Sequence, residues 1–504
     1  MDVLIVLIVL PDCTLVCFST KLKMISRNKL VLNTVEVKAL YSHLKKDQQE
    51  FSEILEHVKQ QAEDVISSLG ERAAGIPQNS EGMEALDYID GIGASKTLEL
   101  FRNRYADKLS GSAGPNYFGF VTGGSTPASV AGDWLTSIYD QNVMGSSETI
   151  ASDFEVMTLH MLRSMFHLTE EFEGSFVSGA TMSNFTSLAI ARQWLGQQKK
   201  VNIAEEGVAA LGEIKLFSAA PHSSIYKSLS MLGIGRNSLT LIPTLKDREA
   251  IDVVALEVAL KNFGKPCIVV ANAGTVNTVD FDDLVALSKL REKYSFWLHV
   301  DAAFGGFAAC SSRYRDLLAG INEADSITID AHKWLNVPYD SAMQFSKHLQ
   351  LQTEVFQNSA AYLRADLSPN NFINLTPENS RRFRALATWF SLVAYGHNGY
   401  SEIVERACGL ANWLSKEIDD HPQFKLLAPQ RLNGICFTLL NDSEPVDQQT
   451  INQIVEQIQS SGKLYLSPSK YKGIPALRIS ITNWSTEMMH VEKTWEALQE
   501  MLDK

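Results

Sequence analysis

FWLHVDAAFGG, residues 296–306, and SITIDAHKWLNVPYDSA, residues 326–342, decide the fold. Each opens on a short apolar run that reads as a buried strand, Phe296 to Val300 and Ser326 to Ile329. Asp301 stands where the first run stops, and Lys333 follows the end of the second, 32 residues later. Ligands of an open parallel sheet bind beyond the carboxyl ends of its strands, so these two side chains can converge on one molecule.

Outward from these segments, residues 174–346 alternate short β-branched or apolar runs with helical patterns, the signature of an α/β fold with a mainly parallel sheet and crossover helices. Ile214–Ser218, Leu239–Ile242 and Cys267–Ala271 read as further strands, and Ile251–Phe263 and Phe281–Glu292 as helices. After Gly396 the pattern changes to a long amphipathic helix, strands around Cys436 and Arg478, and a terminal helix from Thr486. Between Gly111 and Asn142, GPNYFGFVTGGSTPASVAGDWL packs glycine, proline and aromatic residues into a loop able to approach a ligand, with a helix expected near Ala128. Phe51, Ile54, Leu55 and Val58 mark an N-terminal helical arm. The chain thus divides into an extension at 1–23, the arm at 24–110, a large domain at 111–395 and a small α/β domain at 396–504.

The apolar run Val3–Leu10 ends at Pro11 and Asp12, far short of a bilayer span, and no basic residue precedes it. It is read as an upstream extension of a protein starting at Met24, neither membrane anchor nor secretory signal. A net charge of −13 without a dense Lys/Arg block argues against a nucleic-acid partner. Cys13, Cys17, Cys267, Cys310, Cys408 and Cys436 form no CxxC pairs, so reduced thiols, no metal site and a cytoplasmic location are expected.

A strand-end aspartate by itself reads as a cap or turn residue, and a lone lysine as a solvated charge. Together they suit pyridoxal 5'-phosphate (PLP). A carboxylate beside a pyridine nitrogen keeps that nitrogen protonated, which makes the ring an electron sink. A lysine amine forms a Schiff base with the cofactor's aldehyde and yields it to a substrate amine.

With HVDAA and DAHKW go GPNYFGFVTGGSTPASVAGDWL, GSFVSGATMSNFTSLAIAR, PHSSIYKSLSMLGIG and ANAGTVNTVDFDDL. In this order, from Gly111 to Trp484, they resemble the group II PLP-dependent decarboxylases, which include the aromatic amino-acid and glutamate decarboxylases. The resemblance implies the aspartate aminotransferase type of fold (fold type I), a homodimer with sites at the subunit interface, and the arm wrapped on the partner. It also implies roles. Lys333 carries the cofactor and Asp301 pairs with its nitrogen. His222 stacks on its ring, and Ala303 is the small residue packed against it. Ala180, Thr181 and Asn184 match the phosphate-binding segment, where a helix start offers free N–H groups. Thr275 matches a residue that hydrogen-bonds the aspartate. Ser326, Asp330 and His332 match the remaining phosphate-side and lysine-flanking positions, although an acidic Asp330 suits a phosphate poorly. Arg478 resembles the carboxylate-side arginine of the wider fold, and a structural ion pair is the other reading.

The expected reaction is decarboxylation of an L-amino acid to the amine. Tyr117, Phe118 and Phe120 favour an aromatic substrate. The aromatic branch of the family has a proton-donating tyrosine in the loop corresponding to Arg364–Ser380, which here contains none. Counting back from Arg381 and Arg382 puts Phe372 near that place, which raises oxidative decarboxylation with deamination to an aldehyde as the rival reading. Another PLP lyase or aminotransferase remains open. A non-catalytic interaction module would be expected to lack Lys333 or Asp301, and both are present.

Overall fold

The computed structural model describes residues 40–75, 89–145, 149–358 and 368–502. The extension drawn at 1–23 lies outside them, as do Met24 and residues 359–367, where the Arg364–Ser380 loop begins.

Among the described residues, seven strands form the first sheet: β1 Glu173–Val177, β2 Leu216–Ser218, β3 Leu239–Leu241, β4 Cys267–Asn272, β5 Phe296–Asp301, β6 Ser326–Asp330 and β7 Ala342–Ser346. Their spatial order is β1-β7-β6-β5-β4-β2-β3. The run from β3 to β6 is parallel, and β7 is antiparallel to both β1 and β6. Every residue of β4, β5 and β6 is buried, which explains why β4 reads as an apolar run from Cys267 to Ala271, while the polar residues of β5 and β6 need partners inside the protein. The sequence expectation omits β1 and β7. Residues 331–341 are too few for a crossover helix, so the chain after β6 turns back antiparallel.

Helix starts follow their caps. The Asp252 carboxylate accepts the Val254 and Ala255 amides, so the expected helix at Ile251 begins at Val253. Asp283 accepts the Ala286 amide and starts the next helix at Leu284. Thr126, followed by Pro127, opens the helix Pro127–Tyr139.

The second sheet is antiparallel and comprises β8 Phe424–Leu426, β9 Gly434–Asn441, β10 Glu444–Pro445, β11 Ser467–Tyr471 and β12 Ile474–Ser480. The long helix Arg384–Asp420 joins the two sheets and is interrupted at Gly396, whose φ of 60° lies in the left-handed region. In the arm, the helices Ser42–Gln49 and Phe51–Ser68 bury none of their residues in this chain. Phe51, Leu55 and Val58 are exposed on the second of them.

Where the helix Ala151–Met165 meets β1, Arg381 and Glu155 form a fully buried ion pair at 2.7 Å. Arg381 also donates to the carbonyls of Val143 and Phe176. Removing one partner of such a pair strands a charge in a medium of low polarity. Glu155→Gln is expected to lower unfolding free energy by about 3–5 kcal/mol, read from urea denaturation.

Candidate active site

Strand periodicity puts Trp297, His299 and Asp301 on one face of β5, because side chains two apart point the same way. The helix Ala180–Lys199 packs on that face. Ser183 fastens it to the sheet through the Thr328 hydroxyl at 2.8 Å and the Met343 carbonyl at 3.0 Å. One turn into the helix, Asn184 then donates from Nδ2 to Asp301 Oδ2 at 3.0 Å. The other Asp301 oxygen accepts the Ala303 amide at 3.2 Å. These donors satisfy a carboxylate that is only 7% exposed.

Asp301 opens onto a cavity shared with Lys333, His222, Ala303, Ala180 and Thr275, with Val121 and Phe304 in its wall. Lys333 Nζ lies 3.4 Å from Asp330 Oδ2. The lysine's backbone runs against Gly123, where an added β-carbon would stand 1.7 Å from the Lys333 carbonyl oxygen. At the helix start, the Met182 and Ser183 amides turn back to the Gly179 carbonyl, leaving those of Ala180 and Thr181 at the open end. His332 lies against Tyr339, ring centres 4.3 Å apart with the planes tilted by 35°, and its Cε1 approaches Gly179. Tyr339 in turn shares a 3.2 Å hydrogen bond with Thr122.

His222 caps the helix Ser223–Met231, its Nδ1 accepting the Ser224 amide at 3.2 Å. Part of the residue is open to solvent, yet the imidazole's pKa is lowered. Lost hydration is the main cause; Asp301 opposes it, and Lys333 and Arg478 reinforce it. Burial likewise lowers His332, against the pull of Asp330. His299, fully buried, is pushed down to about 4 and is neutral at physiological pH.

A pyridine cofactor with an aldehyde and a phosphate fits this donor set. One cavity presents a buried carboxylate, a lysine amine, a small Ala303 and the open end of a 20-residue helix. Arg478 adds a buried cation at the rim. Its Nη1 and Nη2 bind the Val276 and Phe120 carbonyls at 2.7 and 2.9 Å, and its Nε has no hydrogen-bond partner among the described residues.

Several expected roles change. Thr275 lines the cavity, but its hydroxyl bonds to Glu249 at 2.5 Å, and Asn184 takes the place beside Asp301. Asn184 is wholly buried against that carboxylate, so it does not face a phosphate. Ser326 sits at the opposite end of β6 from the cavity, bonded to Trp297 Nε1 and His299 Nδ1 at 2.9 Å each. Asp330 neighbours Lys333, a lysine-flanking position. Phe118, 1% exposed, belongs to the core. Phe372 is completely buried with the Arg381 guanidinium 4.5 Å above its ring, so it lines neither the cavity nor the surface. Tyr117 stacks on Tyr465 at 4.5 Å and Phe120 lies 6.2 Å from the same ring, an aromatic ledge beside Val121. His299, Ser224 and Tyr339 were not singled out from the sequence. The first was signalled by the period-two spacing of Trp297, His299 and Asp301.

Two expectations follow. Gly123→Ala should displace the segment carrying Lys333 and cost about a hundredfold in turnover, since small misplacements at a reacting centre are expensive. His299 has a lowered pKa in the folded state, so the unfolded chain binds more protons between about pH 4 and 6.5. Its contribution is complete above about 6.5 and is lost as pH falls toward 4, on the order of 3 kcal/mol. The stability difference between wild type and His299→Gln should therefore depend on pH in that window, as urea unfolding would reveal.

Residues 97–440 match the family described as the pyridoxal-dependent decarboxylase conserved domain. An aromatic-L-amino-acid decarboxylase of Bacillus atrophaeus is 30% identical over 430 residues, covering 82% of this chain and 86% of that protein. A phenylacetaldehyde synthase of Arabidopsis thaliana is 26% identical, covering 77% and 81%. Among solved structures, the Oryza sativa TDC with PLP and tryptamine superposes with a TM-score of 0.83 at 20% identity, covering 90% of this chain and 97% of that one. Mouse CSAD gives 0.81 at 21%, covering 90% and 99%. The fold is thus that of the type I PLP enzymes, and the chain belongs to the pyridoxal-dependent decarboxylase family, whose cofactor is PLP.

Proposed function

We propose that this protein decarboxylates an L-amino acid, with preference for an aromatic side chain, to the amine and carbon dioxide. The observation that carries the reading is the meeting of Lys333, Asp301, His222 and Ala303 around one cavity. PLP, when bound, supplies an electron sink for the bond broken at the substrate's α-carbon. Lys333 would carry it, Asp301 would keep its ring nitrogen protonated, and the Ala180 and Thr181 amides would take its phosphate with His332 nearby. Arg478, charged and held on two carbonyls, is the cation for a substrate carboxylate. The Tyr117, Phe120 and Tyr465 ledge supports the aromatic preference, as does the Bacillus relative.

Aldehyde formation is the second reading, favoured by the likeness to a phenylacetaldehyde synthase. The absence of a tyrosine from the Arg364–Ser380 loop also supports it, while the Phe372 ring itself lies against the Arg381 guanidinium. A homodimer is part of the proposal, supported by the arm's unburied apolar face at Phe51, Leu55 and Val58. Cys267, Cys310, Cys408 and Cys436 are free and buried, in keeping with a reducing cytoplasm. No described helix is long and apolar enough to cross a membrane.

Incubating PLP-loaded protein in air with a panel of L-amino acids, followed by mass spectrometry, should reveal an aromatic amine. An aldehyde with ammonia and peroxide would overturn the proposal. Lys333→Ala should abolish both turnover and the visible absorbance of covalently attached PLP, and a variant with normal turnover would remove Lys333 from its role.

A further inference from the structure

Behind the cavity, a chain of buried hydrogen bonds has only one consistent direction. Trp297 Nε1 is a donor and nothing else, so at 2.9 Å the Ser326 hydroxyl must accept from it. The hydroxyl's own proton is then available to His299 Nδ1, 2.9 Å away. An imidazole that accepts at Nδ1 and is neutral carries its proton on Nε2, which faces Asn184 Oδ1 at 2.9 Å. That contact orients the amide, leaving Nδ2 toward Asp301 Oδ2 at 3.0 Å. Turned over, the amide would set its oxygen against a carboxylate.

The same Nδ2 has a second contact, the Ser224 hydroxyl, also at 3.0 Å. Having accepted there, Ser224 Oγ donates to His222 Nδ1 at 2.8 Å, and the Ser224 amide donates to that nitrogen at 3.2 Å. With two donors on Nδ1, the neutral His222 ring carries its proton on Nε2. Asn184, Ser224, Ser326, His299 and Trp297 are all between 0 and 4% exposed, so the network is closed to water as far as Ser224, and only His222 at its end opens to solvent.

We propose that Asn184 is a positioning residue that holds, through one amide group, both the Asp301 carboxylate and, by way of the Ser224 hydroxyl that joins the Ser224 amide on Nδ1, the Nε2-protonated tautomer of His222. Each Nδ2 proton serves one branch. The Asp301 branch steadies the carboxylate that pairs with the cofactor's ring nitrogen. The His222 branch makes that imidazole a hydrogen-bond donor at Nε2 and denies it a role as base through Nδ1. The inference rests on the cofactor and not on which amino acid is consumed, so it stands or falls separately from the product assay.

The test compares two variants as PLP-loaded protein. Dissociation constants for PLP come from absorbance titration. The His222 tautomer comes from ¹⁵N NMR of histidine-labelled protein, its signals assigned by their loss in His222→Gln. Asn184→Ala cuts both branches, so PLP should bind about tenfold more weakly or worse, and the His222 tautomer, left with donors that no longer have Asn184 behind them, should become mixed. Ser224→Ala cuts one branch, so the tautomer should become mixed while PLP affinity stays within about twofold of wild type. Unchanged PLP affinity in Asn184→Ala would overturn the proposal. So would an unchanged tautomer in either variant, or a loss of affinity in Ser224→Ala equal to that in Asn184→Ala. Should Asn184→Ala fail to fold, Asn184→Asp keeps the shape and sets a carboxylate oxygen against Asp301. Weaker PLP binding in that variant supports the proposal, and equal or tighter binding overturns it.

Discussion

A carboxylate withdrawn from water must find donors within the protein, and Asp301 imposes that demand at the end of the central strand β5. One donor is local, the Ala303 amide just beyond the strand. The other belongs to a helix more than a hundred residues earlier, which must approach the sheet closely enough for an asparagine amide to reach. Small residues at the start of Ala180–Lys199 and the Ser183 hydroxyl on β6 and β7 make that approach possible. The same approach aims the helix's open end into the cavity. Satisfying one buried charge therefore sets the position of the element suited to hold a phosphate.

A second set of polar contacts closes the cavity from the side of the smaller sheet. Glu249 gathers the hydroxyls of Thr275 and Thr278 and the side-chain amide of Asn277. Ser469, on β11, donates to Asn277 Oδ1 at 2.6 Å, while Arg248 and Arg431 flank the buried Asp280. Thr275 thus serves the joint between the sheets. Arg478 reaches across that joint to the Val276 and Phe120 carbonyls.

Local pattern made much of this legible in the sequence. Strands β2 to β6 are short apolar runs bounded by polar residues, and all five were located within two residues at either end. Asp301, Lys333, His222, Ala180, Ala303 and Thr275 do share one cavity. Where the reading failed, distance along the chain stood in for distance in space. Ser326 is close in sequence to Lys333, but a strand rising roughly 3.3 Å per residue carries it about 13 Å from the cavity end of β6. Asn184 follows the phosphate segment by one helical turn and faces β5. Phe372 was located by counting along a loop, and counting could not anticipate that Arg381, paired with Glu155, would cover its ring. Pairings of this kind join residues over two hundred positions apart and leave no local trace.

The reach of Arg478 has a consequence for how the protein is made. One wall of the cavity is anchored at Phe120 and another at Val276, yet the group that ties them together stands on β12, near the end of the chain. During synthesis the first sheet can assemble long before β12 has left the ribosome, because its strands are all complete by Ser346. The site itself cannot close until that last strand arrives. Completion of the catalytic chamber is thereby timed to the final stage of translation, and a chain truncated before Arg478 would possess the sheet without the enclosure.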